Sequence, residues 1–146
     1  MRAARTRFRV RYAETDGQRI AHHAVYPVWF EMGRADLLRD LGLDYGAMEE
    51  AGTFMVVADL HVRYRRPVHY DEELVLETTV RETGRSSVVV VYCLWRDDVQ
   101  VATGETLMVM VGSEGRPISV PSALRDALAA PRAEGWQGDA PPPDLA

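Results

Sequence analysis

Apolar and polar positions alternate over residues 6–13, "TRFRVRYA". Phe8, Val10 and Tyr12 fall on one side, and Arg7, Arg9 and Arg11 on the other. A period of two predicts a half-buried strand. A polar loop from Glu14 to about Ala21 follows. A helix is expected to start between His23 and Pro27, because proline fits a first helical turn, where its missing N–H would have no partner. Phe30, Gly33, Leu37 and Leu41 then recur at helical spacing, with Trp29, Met32 and Leu38 widening the stripe. Glu31, Arg34, Asp36 and Arg39 lie largely outside it. Glycine in mid-helix costs about 1 kcal/mol against alanine, and close approach of a sheet to that face would account for Gly33. Gly42 closes the helix, and "DYGAMEEAG" suggests one further short helical turn.

From Thr53 the texture changes. "TFMVVADLHVRYRRP", "ELVLETTVRETG", "RSSVVVVYCLWRD" and "VQVATGETLMVMVG" are long, rich in Val and Thr, and bounded by turn residues. The short links "TGRSS" and "RDDVQ" read as hairpin turns, so the strands are expected to be antiparallel. "PSALRDALAA" reads as a short amphipathic helix that Ser119 or Ser122 caps. The order strand, long helix, four strands predicts an α+β domain, with the helix stripe buried against the concave face of a curved antiparallel sheet. Its long edge strands invite pairing, so a homo-oligomer that continues the sheet is expected. At 146 residues the chain suits one domain. We assign residues 1–130 to it and 131–146, "PRAEGWQGDAPPPDLA", to a flexible tail.

Composition narrows the function. With 47% hydrophobic and 27% charged residues the chain is of ordinary globular type, and its net charge of −5 argues against a nucleic-acid partner. The single cysteine, Cys93, sits in the apolar run "VVVVYCLW" and reads as a buried, inert thiol. No segment has the apolar length of a signal peptide or a membrane span, which makes the cytoplasm the expected location.

The chemistry concentrates in "YAETDGQRIAHHAVY", residues 12–26. Asp16 precedes a helix start. By itself "TDG" is ordinary turn chemistry. Near His23 and Tyr26, however, it faces the unpaired N–H groups of a first helical turn, which favour developing negative charge. A carboxylate there can attack an ester-like carbonyl or activate water. His22 and His23 would diverge by about 100° in a helical turn and so not share one small site. A metal would need further ligands from His61 or His69, and neither has a zinc-like spacing; no metal is expected. The chain has no Ser-centred nucleophile elbow and no Gly-rich phosphate loop. In "VRYRRPVHYDE", strand geometry puts Arg63 and Arg65 on one face and Arg66 on the other. They are either a charged edge that discourages aggregation or a rim for an anionic ligand. The "GRSS" turn would add Arg85, Ser86 and Ser87 to such a surface.

Taken together, "RVRYAETD", "HHAVY", "WFEMGR", "YRRPVHYDEEL" and "TGRSS" resemble the 4-hydroxybenzoyl-CoA thioesterase family of hotdog-fold acyl-CoA thioesterases, over about residues 6–112. The resemblance implies hydrolysis of an acyl-CoA thioester to a carboxylic acid and CoA, with no cofactor beyond the CoA of the substrate itself. It implies Asp16 as the catalytic carboxylate, nucleophile or general base, with His23 near the thioester. Tyr12 would support the site, and Tyr26 and the neighbouring N–H groups would lie at the carbonyl oxygen. Arg63, Arg65, Arg66, Arg85, Ser86 and Ser87 would contact the nucleotide end of CoA. Homodimers or homotetramers are implied, with sites at subunit interfaces. Two positions depart from the family pattern: Arg19 in "DGQRIA", and Val25 where an Asn often precedes the tyrosine. These departures keep open a non-catalytic acyl- or CoA-binding module, and the Asp16/His23 pairing keeps open a hotdog hydratase or dehydratase.

Overall fold

The alternation at the N-terminus folds as strand β1, Ala3–Arg9, in a computed structural model that describes residues 3–129. Ala4, Thr6 and Val10 are buried while Arg5, Arg7 and Arg9 face outward. The strand stops before residues 10–13, however. Tyr12 opens a 3-10 turn, Tyr12–Glu14, and its side chain is 78% exposed, so it does not share the buried face of Val10. A second 3-10 turn, His23–Val25, leads into helix α1, Tyr26–Asp40, with Pro27 in its first turn. Helix α2, Tyr45–Glu50, follows, capped by the Asp44 carboxylate, which accepts the Ala47 N–H. Strands β2 (Phe54–Tyr64), β3 (Glu73–Thr83), β4 (Ser87–Arg96) and β5 (Val99–Val111) match the four predicted runs. Helix α3, Ser122–Ala129, closes the described chain. It opens directly after Pro121, whose carbonyl accepts the Arg125 N–H. The expected tail, 131–146, lies outside the described residues.

The five strands form one antiparallel sheet in the order β1-β3-β4-β5-β2. Helix α1 lies across it. Trp29, Phe30, Leu37 and Leu38 pack onto a sheet face that includes Leu74, Leu76, Val90, Tyr92 and Met108. Two glycines set how close the layers come. A Cβ on Gly33 would stand 2.8 Å from Leu76 Cδ2 and closer still to Thr78 Oγ1. The close approach read from the sequence is present. On the sheet side, Gly104 lies under the Phe30 ring, which stacks on Tyr92 at 4.1 Å and 5°.

One helical residue departs from the expected stripe. Arg34 is buried, donating to the Tyr92 hydroxyl at 3.0 Å, which is itself 2.6 Å from Thr106 Oγ1. Burial alone would lower its pKa, but the hydroxyls of Tyr92 and Tyr45 outweigh this and raise it, so the guanidinium stays charged. Cys93 is buried as expected, with its thiol pushed up to about 12 by burial.

Strands β1 and β2 are the sheet's two edges. β1 carries arginines paired with Glu73 and Glu77. The exposed middle of β2 carries Val56, Val57 and Leu60, 44%, 49% and 42% open, interleaved with exposed Asp59 and His61.

Candidate active site

The loop ahead of α1 is a tight hairpin closed by a Thr15–Ala21 bridge. The Asp16 N–H donates to Ile20 O, and the Arg19 N–H to Asp16 O, both at 2.9 Å. Arg19 pays for this closure with a left-handed φ of 66°, a conformation that glycine adopts at least cost. The Asp16 carboxylate takes part in the turn: Oδ1 accepts the Gln18 N–H at 2.8 Å. A carboxylate offers about four lone-pair positions, so this contact orients the group and leaves Oδ2 for chemistry.

Glu14 locks the hairpin to the helix. Its side chain is buried and accepts the Arg11 N–H at 2.7 Å and the Trp29 indole N–H at 2.9 Å. Its backbone carbonyl accepts the His22 N–H at 2.8 Å. Burial acts to raise its pKa, but these donors and the Arg11 guanidinium outweigh it, and the net shift is downward. From the other side, Ala21 donates to Val68 O at 2.8 Å.

The two histidines do not diverge. His22 is an extended N-cap (ψ 137°), not a helical residue, and its ring stacks on His23 with centroids 4.4 Å apart. Its Nδ1 accepts the Ala24 N–H at 3.0 Å, and its carbonyl accepts the Val25 N–H at 3.0 Å. Two donors of the first turn are therefore already engaged. The His23 N–H stands at the turn's first position, where helix geometry provides no internal acceptor.

A cleft of about 450 Å³ brings together Asp16, His23, Tyr26, Tyr64, Arg65 and Arg66, with Ile20, Ala21 and Pro67 among its apolar walls. Tyr26 is the buried floor, and burial, with Tyr64 beside it, pushes its hydroxyl up to about 12, so it remains a neutral phenol. A second groove of about 490 Å³ adjoins it across Tyr64, Arg65 and Arg66, and is completed by Arg63, Val99 and Gln100. The strand face expected to separate Arg65 from Arg66 does not exist. β2 ends at Tyr64, and the N–H groups of both arginines reach Val101 O, at 2.9 and 3.1 Å. That irregular step turns both side chains into the same clefts. Arg65 Nε is buried without a hydrogen-bond partner among the described residues.

Other expected residues lie elsewhere. Tyr12 is outside the cleft, edge-on to Tyr70 at 5.7 Å. Arg85 and Ser86 lie in the β3–β4 turn and Ser87 opens β4. The Ser86 and Arg85 carbonyls are tied to the end of β5 and to the approach to α3 by the Met110 and Val120 N–H groups, and the Ser87 carbonyl accepts the Gly84 N–H. That is the opposite end of β4 from the cleft, roughly 30 Å away along a ten-residue strand. His69 is committed to Glu72, at 2.8 Å, and His61 pairs across the sheet with Glu105. Tyr64 is the residue that sequence reasoning missed. Its hydroxyl donates to His23 O at 2.6 Å.

Comparison with known proteins finds relatives of the chain in sequence and in fold. A family model described as the thioesterase superfamily matches residues 18–103, a span that contains His23, Tyr26 and Arg63 to Arg66 and begins just after Asp16. The chain is 29% identical over 123 residues to the acyl-CoA thioesterase YbgC of Haemophilus influenzae, covering 82% of this chain and 90% of that one. A DHNA-CoA thioesterase from Staphylococcus aureus superposes with a TM-score of 0.83 at 30% identity, over 87% of this chain and 89% of that one. A 4-hydroxybenzoyl-CoA thioesterase solved with 4-hydroxybenzoyl-CoA shares the fold, with a TM-score of 0.82 at 18% identity, over 88% of this chain and all of that one.

Proposed function

The chain belongs to the thioesterase superfamily, and from that premise we propose that it hydrolyses an acyl-CoA thioester to a carboxylic acid and free CoA. The observation that carries this reading is the single cleft in which Asp16 faces His23 and Tyr26 beside Arg65 and Arg66. The names of its relatives, acyl-CoA thioesterase and DHNA-CoA thioesterase, support the substrate class.

In this reading Asp16 acts on the thioester carbonyl carbon, directly as nucleophile or by taking a proton from the attacking water. Negative charge developing on the carbonyl oxygen is met by the His23 N–H at the start of the helical turn. This narrows the donor set expected from the sequence, because the Ala24 and Val25 N–H groups are engaged by His22. Collapse of the intermediate breaks the C–S bond and releases the thiolate; in the nucleophilic route, water then hydrolyses the acyl–Asp16 anhydride to the carboxylic acid and restores the carboxylate. The thiolate is a good leaving group, so Tyr26, held as a neutral phenol, is needed as a wall and polar contact and not as a strong acid. Arg65 and Arg66, shared by two adjoining grooves, hold the phosphates of the nucleotide end, with Arg63 at the far wall. Tyr12, exposed and outside the cleft, supports the loop through its backbone carbonyl, which accepts the Thr15 hydroxyl.

The unpaired edge of β2, with Val56, Val57 and Leu60 exposed along it, supports a homo-oligomer built on that edge. Arg85, Ser86 and Ser87 then serve a neighbouring chain's cleft and not their own. No helix among the described residues is long and apolar enough to cross a membrane, in keeping with action in the cytoplasm.

The test is a panel of acyl-CoAs of varied chain length and aromatic content, read by release of free thiol. Hydrolysis of at least one class supports the reading. CoA binding without hydrolysis would make the chain a binding module, and turnover confined to enoyl-CoA hydration would make it a hydratase.

A further inference from the structure

In a 3-10 turn the carbonyl of residue i accepts the N–H of residue i+3, which for His23 is Tyr26. A carbonyl has a second lone pair, and the next residue, Pro27, has no N–H to offer it. Tyr64, the last residue of β2, reaches that second position by donating its hydroxyl to His23 O at 2.6 Å. Its ring also stands edge-on to Tyr26, with centroids 4.8 Å apart. The turn that carries His23 is thus held from two directions. Glu14 holds it from the loop through the His22 N–H, and Tyr64 holds it from the sheet.

We propose that Tyr64 is a positioning residue. Through the His23 carbonyl it fixes the 23–25 turn, and with it the His23 N–H and imidazole, as a second donor beside the turn's own backbone bond. The inference rests on the thioesterase reading, which gives that turn its work. Tyr64 does not act on the reacting carbon. Its effect falls on transition-state alignment and therefore on kcat more than on KM.

The experiment compares wild type with Tyr64→Phe on the acyl-CoA that wild type cleaves fastest, with amide hydrogen exchange at Ala24 and Val25 as a second readout. Loss of one hydrogen bond predicts a roughly tenfold fall in kcat for Tyr64→Phe, with KM within about twofold and exchange in the turn faster by a similar factor. The proposal is overturned by a Tyr64→Phe variant with kcat and exchange both within twofold of wild type, or by a lowered Tm with kcat unchanged. If wild type cleaves no acyl-CoA, the thioesterase reading fails. The exchange measurement then decides separately whether Tyr64 holds the turn.

Discussion

Replacing Gly104 by alanine tests how tightly the helix is seated on the sheet. A Cβ at that position falls closer than 3.0 Å to Phe30 Cε2 and Cζ, and lies 3.2 Å from His61 O. Carbon atoms rest at about 3.5–4.0 Å, so the ring must retreat by at least roughly 0.5 Å. Phe30 has little room to do so: it is 1% exposed and stacked on Tyr92 at 4.1 Å. Overpacking of this kind costs about 1–3 kcal/mol. The rigidity of the ring argues for the upper half of that range. Against it stands the gain of about 0.5–1 kcal/mol from removing a glycine from a strand interior. The expected net loss for Gly104→Ala is about 1–2.5 kcal/mol, read from urea unfolding as a lower midpoint at unchanged slope. Adding Phe30→Leu, which withdraws the ring edge, should make the two substitutions less than additive by about 1 kcal/mol. A Gly104→Ala protein as stable as wild type or more so would refute the close seating of α1.

Three further outcomes follow from the same structure. Glu14 has a folded pKa below its ordinary 4.5, so its contribution is complete above that value and is lost as pH falls through the folded one. The stability gap between wild type and Glu14→Gln should be near-constant at pH 6–7 and shrink below about pH 4.5, and a gap unchanged down to pH 3 would contradict the network around Trp29. Cys93, buried and with its thiol pushed up to about 12, should resist thiol reagents at pH 8 in the native state and react at once in urea; rapid native labelling would show the sheet core to be open. Arg65→Ala and Arg66→Ala should each raise KM for CoA thioesters several-fold while leaving shortened pantetheine thioesters little changed, and an equal loss on both substrates would remove the nucleotide role.

What the sequence revealed and concealed follows the range of the interactions involved. β1, the α1 stripe, the four later strands and both hairpins were legible because each is written in a period of two or 3.6 and closed by local turn residues. Gly33 was legible for the same reason, since a glycine inside a helical stripe already asks what lies against it. Arg34 was not. Its burial depends on hydroxyls from Tyr92 and Thr106, 58 and 72 positions further on (92 − 34 and 106 − 34). The stacking of His22 on His23 hinged on one backbone angle at an N-cap, and the joint orientation of Arg65 and Arg66 on two N–H groups meeting one carbonyl of β5. Tyr64 left a faint trace in the sequence. Pro27 offers the His23 carbonyl no N–H, but which residue supplies its second donor is decided by the fold. Asp16 was readable as a turn residue and as a catalytic carboxylate, and the structure shows the turn contact within the cleft itself.

The direct test of the central claim is therefore the activity of Asp16→Asn on the best acyl-CoA of the panel. The amide oxygen can still accept the Gln18 N–H, so the hairpin and the unfolding midpoint should be preserved. Asp16→Ala is assayed beside it, because an asparagine before Gly17 is prone to deamidate back to a carboxylate. The account predicts kcat reduced by about 10²–10⁴-fold in a folded protein. Turnover within about threefold of wild type in both variants would contradict it.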